Sequence, residues 1–182
     1  MQWIILGIVI LIILWAISSY NGLVRLKLKV EEAFASMDVF LKKRYDLIPN
    51  IVETVKGYAK HESQTLENVI KARNSALGST DMESQVANEN VLQGTLKTLF
   101  ALTESYPDLK ANTNFINLQD KLTGIETEIE RSRRYYNGTV LNYNTKIHTF
   151  PSLIIAGLFR FTAKPMFEVS DASQRENVKV QF

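Results

Sequence analysis

The residues best suited to catalysis or metal binding are few in this sequence, and their spacing matches no known site. His61 and His148 are its two histidines. A di-iron site in a helical bundle requires Glu-x-x-His on two facing helices, and neither histidine follows a glutamate by three positions. His61-Glu62 does not begin a His-Glu-x-x-His zinc motif, because position 65 is threonine. With no cysteine and no phosphate-binding loop either, we predict no enzyme, no metal and no cofactor.

Charged residues could instead form a binding surface for lipid or an acidic partner. Basic clusters occur at Lys42-Lys43-Arg44 and at Arg131, Arg133 and Arg134, although such runs are usually solvated helix faces. Over the whole chain, 21 Lys and Arg oppose 19 Asp and Glu. Because this balance gives no dominant positive field for a phosphate backbone, we expect no nucleic-acid partner.

An apolar segment opens the chain and must position whatever follows it. Every residue from Trp3 to Ile17 is apolar or glycine, and no charged side chain precedes Arg25. At about 1.5 Å per residue, a helix over residues 1–24 crosses a hydrocarbon core of roughly 30 Å. The sequence therefore predicts a transmembrane anchor that retains its place in the mature protein. The side chains predicted to form it are Trp3, Leu6, Val9, Leu11, Leu14, Trp15 and Tyr20.

Three cations follow the anchor at once and set its predicted orientation. Apart from the terminal amine, no cation precedes Arg25, Lys27 and Lys29, so the positive-inside bias places the body in the cytoplasm and the amino terminus outside. The same three side chains could contact lipid headgroups. A cleaved signal peptide is the alternative; Ala16-Ile17-Ser18 could pass as a weak cleavage site, but the positive amino-terminal region is missing.

Apolar residues in the rest of the chain recur at helical spacing. One stripe runs from Leu26 to Ala59 and another from Phe115 to Ile147, with a shorter one over about Glu83 to Glu104. Stripes of this width are stable in water only when they are buried against one another. We predict an all-α fold, in which the transmembrane helix (1–24) is followed by an antiparallel, up-and-down bundle of three to four helices (25–167) and a tail (168–182).

Pro49 interrupts the first stripe. Its missing amide would otherwise bond the Tyr45 carbonyl, so it must either bend the helix or reverse the chain. The apolar phase continues across it and no glycine lies near, which favours a bend. With a bend, residues 150–167 are expected to lie far from the bilayer, and with a reversal, at its surface.

Residues 150–167 are strongly apolar, and either their own bundle, lipid or a second copy could cover them. The candidates for an oligomer or membrane interface are Leu153, Ile154, Leu158, Phe159, Phe161 and Phe167. In the tail, Val178, Val180 and Phe182 alternate with polar residues. That segment could be disordered or pair with a neighbouring subunit as a short strand.

Several stretches together resemble the LemA family of bacterial membrane-anchored proteins. They are YNGLVRLKLKVEEAF, MDVFLKKRYDLIPNIVETVKGYAKHE, ESYPDLKANTNFINLQDKL, RRYYNGTVLNYN and FPSLIIA, which extend from Tyr20 to about Glu168. The resemblance implies one N-terminal membrane helix and an antiparallel helical bundle in the bacterial inner membrane, and it implies no enzymatic activity. The residues in the most recognisable stretches, to which we assign structural roles, are Asp46, Pro49, Asn50, His61, Glu62, Tyr106, Pro107 and Lys110.

Three function classes follow from this reading, and the least favoured of them is an enzyme or small-ligand binder in the bundle core. The leading hypothesis is a non-enzymatic, self-associating scaffold in membrane organisation, aided by Ser18 and Gly22, which are spaced like a helix-contact pair. Since family members are often encoded near a membrane metalloprotease of the HtpX type, the resemblance also suggests an adaptor of such a protease in envelope quality control. The expected partners are therefore membrane lipid, a second copy and a membrane protease.

Overall fold

The computed structural model describes residues 1–167, in which six helices and no strand are found. The helices are α1 (Gln2–Tyr58), α2 (Ser63–Leu77), α3 (Met82–Thr103), α4 (Pro107–Lys110), α5 (Thr113–His148) and α6 (Ser152–Leu158). The predicted all-α fold is confirmed. Val178, Val180 and Phe182 lie outside the described residues, as does the whole predicted tail.

These helices form two compact units, and α1 and α5 contribute to both. The first unit comprises Met1–Leu41 and Ile125–Met166. The second comprises Lys42–Gly124, together with Phe167 among the described residues.

In the first unit, α1 and α5 run antiparallel. Phe34 packs against Tyr136 with ring centroids 5.8 Å apart, while Tyr20, earlier on α1, packs against Phe159, which follows α5. The core between them is apolar and fully covered, and it consists of side chains from the two predicted stripes. Its members include Val30, Ala33, Met37, Ile129, Tyr136, Val140 and Tyr143.

The second unit is built from four helical segments and the single turn of α4. Arg73 on α2 reaches the Tyr45 carbonyl, so α2 runs back along α1 after the turn at Ala59–Glu62. Tyr106, just beyond α3, reaches Glu62, so α3 runs in the direction of α1 again. The up-and-down order predicted from the sequence therefore holds within this unit. Its core includes Ile48, Val55, Val69, Leu92, Leu99, Leu109 and Phe115.

Two polar turns delimit α3. Asp81 caps the helix by accepting a bond from the Ser84 amide at 2.8 Å, and the Ser84 hydroxyl also donates to its carboxylate. These bonds lower the pKa of the Asp81 carboxyl. Pro107 begins α4 at the other end, where the absent amide of a first-turn proline removes nothing. The segment Tyr106–Asp108, whose composition is typical of a turn, is thus the start of a one-turn helix.

Pro49 lies inside α1, and the helix continues through it to Tyr58. The chain does not reverse at the proline, as the unbroken apolar phase indicated. The reversal comes ten residues later, at Ala59–Glu62. The first predicted stripe ends at Ala59, and no helix was predicted over α2 (Ser63–Leu77). The turn itself contains no proline, glycine or asparagine.

The expected position of residues 150–167 is wrong. A chain that continues through Pro49 was expected to carry them far from the bilayer, yet α6 lies in the first unit and Phe159 packs on Tyr20 at 4.7 Å. The reason is the length of α5, whose 36 residues span about 54 Å at 1.5 Å each and run back along α1. Phe167, by contrast, belongs to the second unit and is buried.

Candidate functional site

The second unit contains a buried ion pair at its centre. Arg44 on α1 donates to the Glu89 carboxylate on α3, and both side chains are fully buried. The Tyr45 hydroxyl donates to the other oxygen of Glu89. Burial and the neighbouring Glu89 charge raise the pKa of Tyr45 well above its usual range. Since an isolated buried charge is costly, Arg44 and Glu89 offset each other's charge in the core.

Our interpretation of Lys42-Lys43-Arg44 as a solvated face is wrong for Arg44. Lys42 and Lys43 are exposed, whereas Arg44 belongs to the core. The burial of Arg44 could have been predicted from its spacing, because it lies three residues after Leu41 and four before Ile48, both in the apolar stripe. Glu89 likewise lies three residues from Val86. A charge in phase with a stripe is therefore the pattern that predicts a buried ion pair.

A second polar contact explains how α1 passes through Pro49. Proline has no amide hydrogen to donate to the carbonyl four residues before it, which here is Tyr45. Arg73 on α2 supplies the missing donor, its Nε lying 2.9 Å from the Tyr45 oxygen. Its terminal nitrogen also bonds the Asn74 side chain at 3.0 Å. The hydroxyl and the backbone carbonyl of Tyr45 are thus both bonded to side chains of neighbouring helices.

The family-like stretches are joined by side-chain hydrogen bonds, one of which links two of the residues singled out from the sequence, Glu62 and Tyr106. The Tyr106 hydroxyl donates to Glu62 at 3.2 Å, and Asn112 donates to the Tyr58 hydroxyl at 2.8 Å. Lys110 pairs with Glu104 at the surface. Two of the stretches, VKGYAKHE and YPDLKAN, are therefore joined side by side in the second unit. Asp46, Asn50 and His61 are exposed.

In the first unit, three side chains of α5 hold the segment that follows α6. The Tyr136 hydroxyl donates to the Pro165 carbonyl at 2.8 Å, and that of Tyr143 to the Thr162 carbonyl at 3.0 Å. Asn144 bonds both the amide and the carbonyl of Lys164, each at 2.9 Å. Burial raises the pKa of Tyr136 to about 12, and burial together with Glu31 raises that of Tyr143.

This arrangement leaves a groove beside α1, which we call the Arg160 groove. It is a cavity of about 380 Å³ in the first unit. Its lining combines aromatic side chains with three cations and one carboxylate. These lining residues are Tyr20, Tyr143, Phe159, Phe161, Lys27, Arg160, Lys164 and Glu31, and Val24, Leu28 and Thr162 complete the lining.

The predicted interface residues around this groove differ in exposure. Leu153, Ile154, Leu158 and Phe159 are exposed, and Leu158 is 72% so. Phe161 is partly buried and contacts Tyr20, at 5.9 Å between ring centroids. Ser18 and Gly22, predicted as a contact between copies, line a cavity of about 260 Å³ with Pro151 and Ser152 of the same chain.

Most of the predicted anchor (1–24) is uncovered, although Leu23 near its end is fully buried. By length and composition, α1 is the one helix within residues 1–167 that could cross a membrane. No residue in its most apolar window is buried, and Trp3, Leu6, Val9, Leu11, Leu14, Trp15 and Tyr20 are all exposed to some degree. Arg25, Lys27 and Lys29 are exposed as well, Lys27 lying 4.0 Å from Glu31.

These features define a class of all-helical proteins in which a long apolar N-terminal helix continues directly into the folded units. The chain belongs to the LemA family, whose model matches residues 33–182. It is 26% identical over 156 residues to Protein LemA of Metamycoplasma hominis, an alignment that covers 83% of this chain and 69% of that protein.

Proposed function

We propose that this chain is a non-enzymatic, single-pass membrane protein whose helical units act as an interaction module held at the membrane surface. One observation carries the proposal. The exposed apolar residues 3–17 belong to the same helix as the core residues Val30 and Met37, with no linker between them. A helix of this kind fixes the position of the module relative to the bilayer, whereas a flexible linker would leave it free.

The electrostatics of the chain support a structural rather than a catalytic role. Arg44 and Glu89 neutralise each other inside the second unit, and neither lines the cavities described above. A catalytic acid or base must be able to reach the proton that it transfers. The buried pair thus contributes to the core of the module and leaves its surface for binding.

Retention of the anchor is the first requirement, and it is tested on the full chain purified from membranes. The intact mass is expected to include Met1 or Gln2 as the first residue. Alkaline extraction is expected to leave the protein with the lipid, and deletion of residues 2–17 to release it. Material that begins beyond Tyr20 and remains soluble would contradict the proposal and favour a signal peptide.

Self-association is the interaction that exposed apolar side chains support best. Leu28 and Val39 are both more than half exposed, and their separation of 11 residues is about three helical turns, so they share one face of α1. We propose that this face binds the same face of a second copy. Such an interface would be isologous, as in most homodimers.

Light scattering of the full chain in mild detergent tests this interface. Wild type is expected to be larger than a monomer, and V39E, whose site lies outside the groove beside Lys27 and Arg160, is expected to be monomeric. L141E serves as the matched control, because Leu141 is similarly exposed but lies on α5. A monomeric wild type, or an L141E protein that dissociates as readily, would overturn self-association through α1.

A further inference from the structure

The Arg160 groove lies where the predicted anchor meets the folded part of the first unit. Tyr20 and Phe159 form one wall, and a second cavity nearby joins Trp15 and Ser18 of α1 to Pro151 and Ser152. α6 therefore runs beside residues 15–22, the last turns of the apolar segment. Tyrosine and tryptophan at this level are typical of the headgroup zone.

The cations of this groove exceed its acids. Lys27 is near Glu31, but the 4.0 Å separation and half-exposed side chains make this a weak pair. Within residues 1–167, no hydrogen bond or ion pair engages the side chains of Arg160 or Lys164. The lining thus offers two unengaged cations to an anionic ligand.

Arg160 occupies a backbone position that normally favours glycine. Its φ is 54°, in the left-handed region, and it is the only non-glycine residue with positive φ among the described residues. The surrounding bonds are those of a helix-terminating Schellman motif, with the Phe161 amide on the Ala156 carbonyl at 2.9 Å and the Arg160 amide on the Gly157 carbonyl at 3.3 Å. An arginine where glycine is easier points to a use for its guanidinium.

Lys164 is fixed by its own backbone. Asn144 bonds its amide and its carbonyl, so the main chain at this residue is held against α5 from both sides. The pair Arg160 and Lys164 is therefore carried on a positioned segment. Preorganisation of this kind lowers the entropy lost when a ligand binds.

Exposed apolar side chains lie next to these cations and offer a surface for the acyl chains of a lipid. Phe150, Leu153, Ile154 and Leu158 of the α6 region are exposed beside the apolar part of α1. A surface with cations at one level and apolar side chains at the next matches a phospholipid, which carries a phosphate above acyl chains. A soluble phosphate would use the cations alone.

We propose that the Arg160 groove binds the headgroup phosphate of an anionic phospholipid, with Arg160 and Lys164 as its ligands and the exposed face of α6 against the acyl chains. This inference rests on the proposed membrane anchoring and deepens it. It assigns a specific lipid site to residues beyond the Arg25, Lys27 and Lys29 cluster. α6 then lies in the membrane interface as a second contact of the same chain.

The test measures lipid binding by the full chain in detergent, from the fluorescence of its two tryptophans. The probes are short-chain phosphatidylglycerol, short-chain phosphatidylcholine and inorganic phosphate. Wild type is expected to prefer phosphatidylglycerol at least tenfold over either other probe. Inorganic phosphate that binds as tightly as phosphatidylglycerol would overturn the lipid assignment.

Two variants at one position separate charge from backbone strain. R160G removes the guanidinium but relieves the left-handed conformation, so it is expected to keep or raise the melting temperature while weakening phosphatidylglycerol binding about tenfold. R160K, which keeps the charge, is expected to retain most of the binding. K164Q is expected to weaken it as R160G does, and R134Q, at an exposed arginine of α5, to leave it unchanged.

The remaining outcomes are also decisive. If R160G and K164Q bind phosphatidylglycerol like wild type, the site is wrong. If they instead change the oligomeric state, a second copy covers the groove and the lipid proposal is overturned. Flotation of each variant with liposomes distinguishes the two hypotheses, because wild type that fails to float refutes membrane anchoring itself, whereas variants that float but lose selectivity support the groove.

Discussion

At the scale of single residues, the buried Arg44–Glu89 pair links α1 to α3 in the core of the second unit. Continuum arguments and experiments agree that such a pair adds little net stability over a well-packed apolar pair, while removal of one partner is severe. Tyr45 shares Glu89 and donates its hydroxyl to it. The pair is therefore expected to act mainly as a constraint on which face of α3 meets α1, since a rotated α3 would leave the buried Arg44 charge without Glu89.

We expect Glu89→Gln to destabilise the second unit by about 3 kcal/mol, because Arg44 would keep its buried charge without an opposing one. Thermal and urea unfolding of the full chain in detergent measure this. Glu83→Gln, an exposed change on the same helix, is the control. The double change R44M/E89L is expected to be much less harmful than E89Q, and equal damage would argue against the ion-pair explanation.

Arg73 and Pro49 are linked through the Tyr45 carbonyl, to which Arg73 donates the hydrogen bond that Pro49 cannot. Arg73→Met should cost roughly 1–2 kcal/mol, since it leaves the Tyr45 carbonyl without its donor. In a Pro49→Ala background the helix regains its own amide donor, so the same Arg73→Met change is expected to cost less. A double-mutant cycle of unfolding free energies measures the difference. Arg131→Met provides a surface control, and a cycle that closes additively would refute the compensation.

At the scale of helices, most of the long elements could be predicted from the sequence, but some turns and contacts could not. The bounds of α3, the two long stripes and the continuity through Pro49 follow from apolar phase and turn chemistry, which are local properties. The turn at Ala59–Glu62 lacks turn residues and was missed. The return of α6 to Tyr20 was missed as well, because a contact between residues so far apart in the chain is not a local property. Among the candidate site residues, Asp46 and Asn50 were chosen because they lie in a family-like motif. The buried pair Arg44 and Glu89 could be predicted only from their helical spacing to the apolar stripes.

At the scale of elements, the attachment of segment 162–165 to α5 predicts how the stability of the protein depends on pH. A tyrosine with a raised pKa stays protonated in the folded state at a pH where the unfolded chain already ionises. Its contribution to the free energy of unfolding is therefore complete below pH 10 and is lost as the pH rises towards 12. Tyr136 is the donor to Pro165, and its ionisation removes that bond. We expect stability to fall by on the order of 1–2 kcal/mol over this range.

Phenolate absorbance and unfolding measured together check this expectation. Tyr136→Phe is expected to be less stable at neutral pH but to lose less stability above pH 10. Tyr135→Phe, at the exposed neighbour, should leave both the neutral stability and the late phenolate step unchanged. A late step that survives in Y136F and disappears in Y135F would contradict the assignment.

At the scale of the whole molecule, the chain has no cysteine, so its proposed orientation can be read from single introduced thiols. Gln2→Cys is expected to react with a membrane-impermeant reagent on intact cells, because the amino terminus is predicted to lie outside. Ser105→Cys, in an exposed loop of the second unit, is expected to react only after the membrane is opened. The opposite pattern of labelling would reverse the topology.

The absence of a linker in α1 also limits how the chain can evolve. Residues before Trp15 are exposed and contact none of the cavities described here, so an insertion among them leaves every packed neighbour in place. From Trp15 onward, one added residue turns the helix by about 100° and carries Tyr20 away from Phe159. Homologues adapted to thicker bilayers should therefore differ in length at the amino-terminal end of the segment, while the stretch from Trp15 to Val30 keeps a constant residue count.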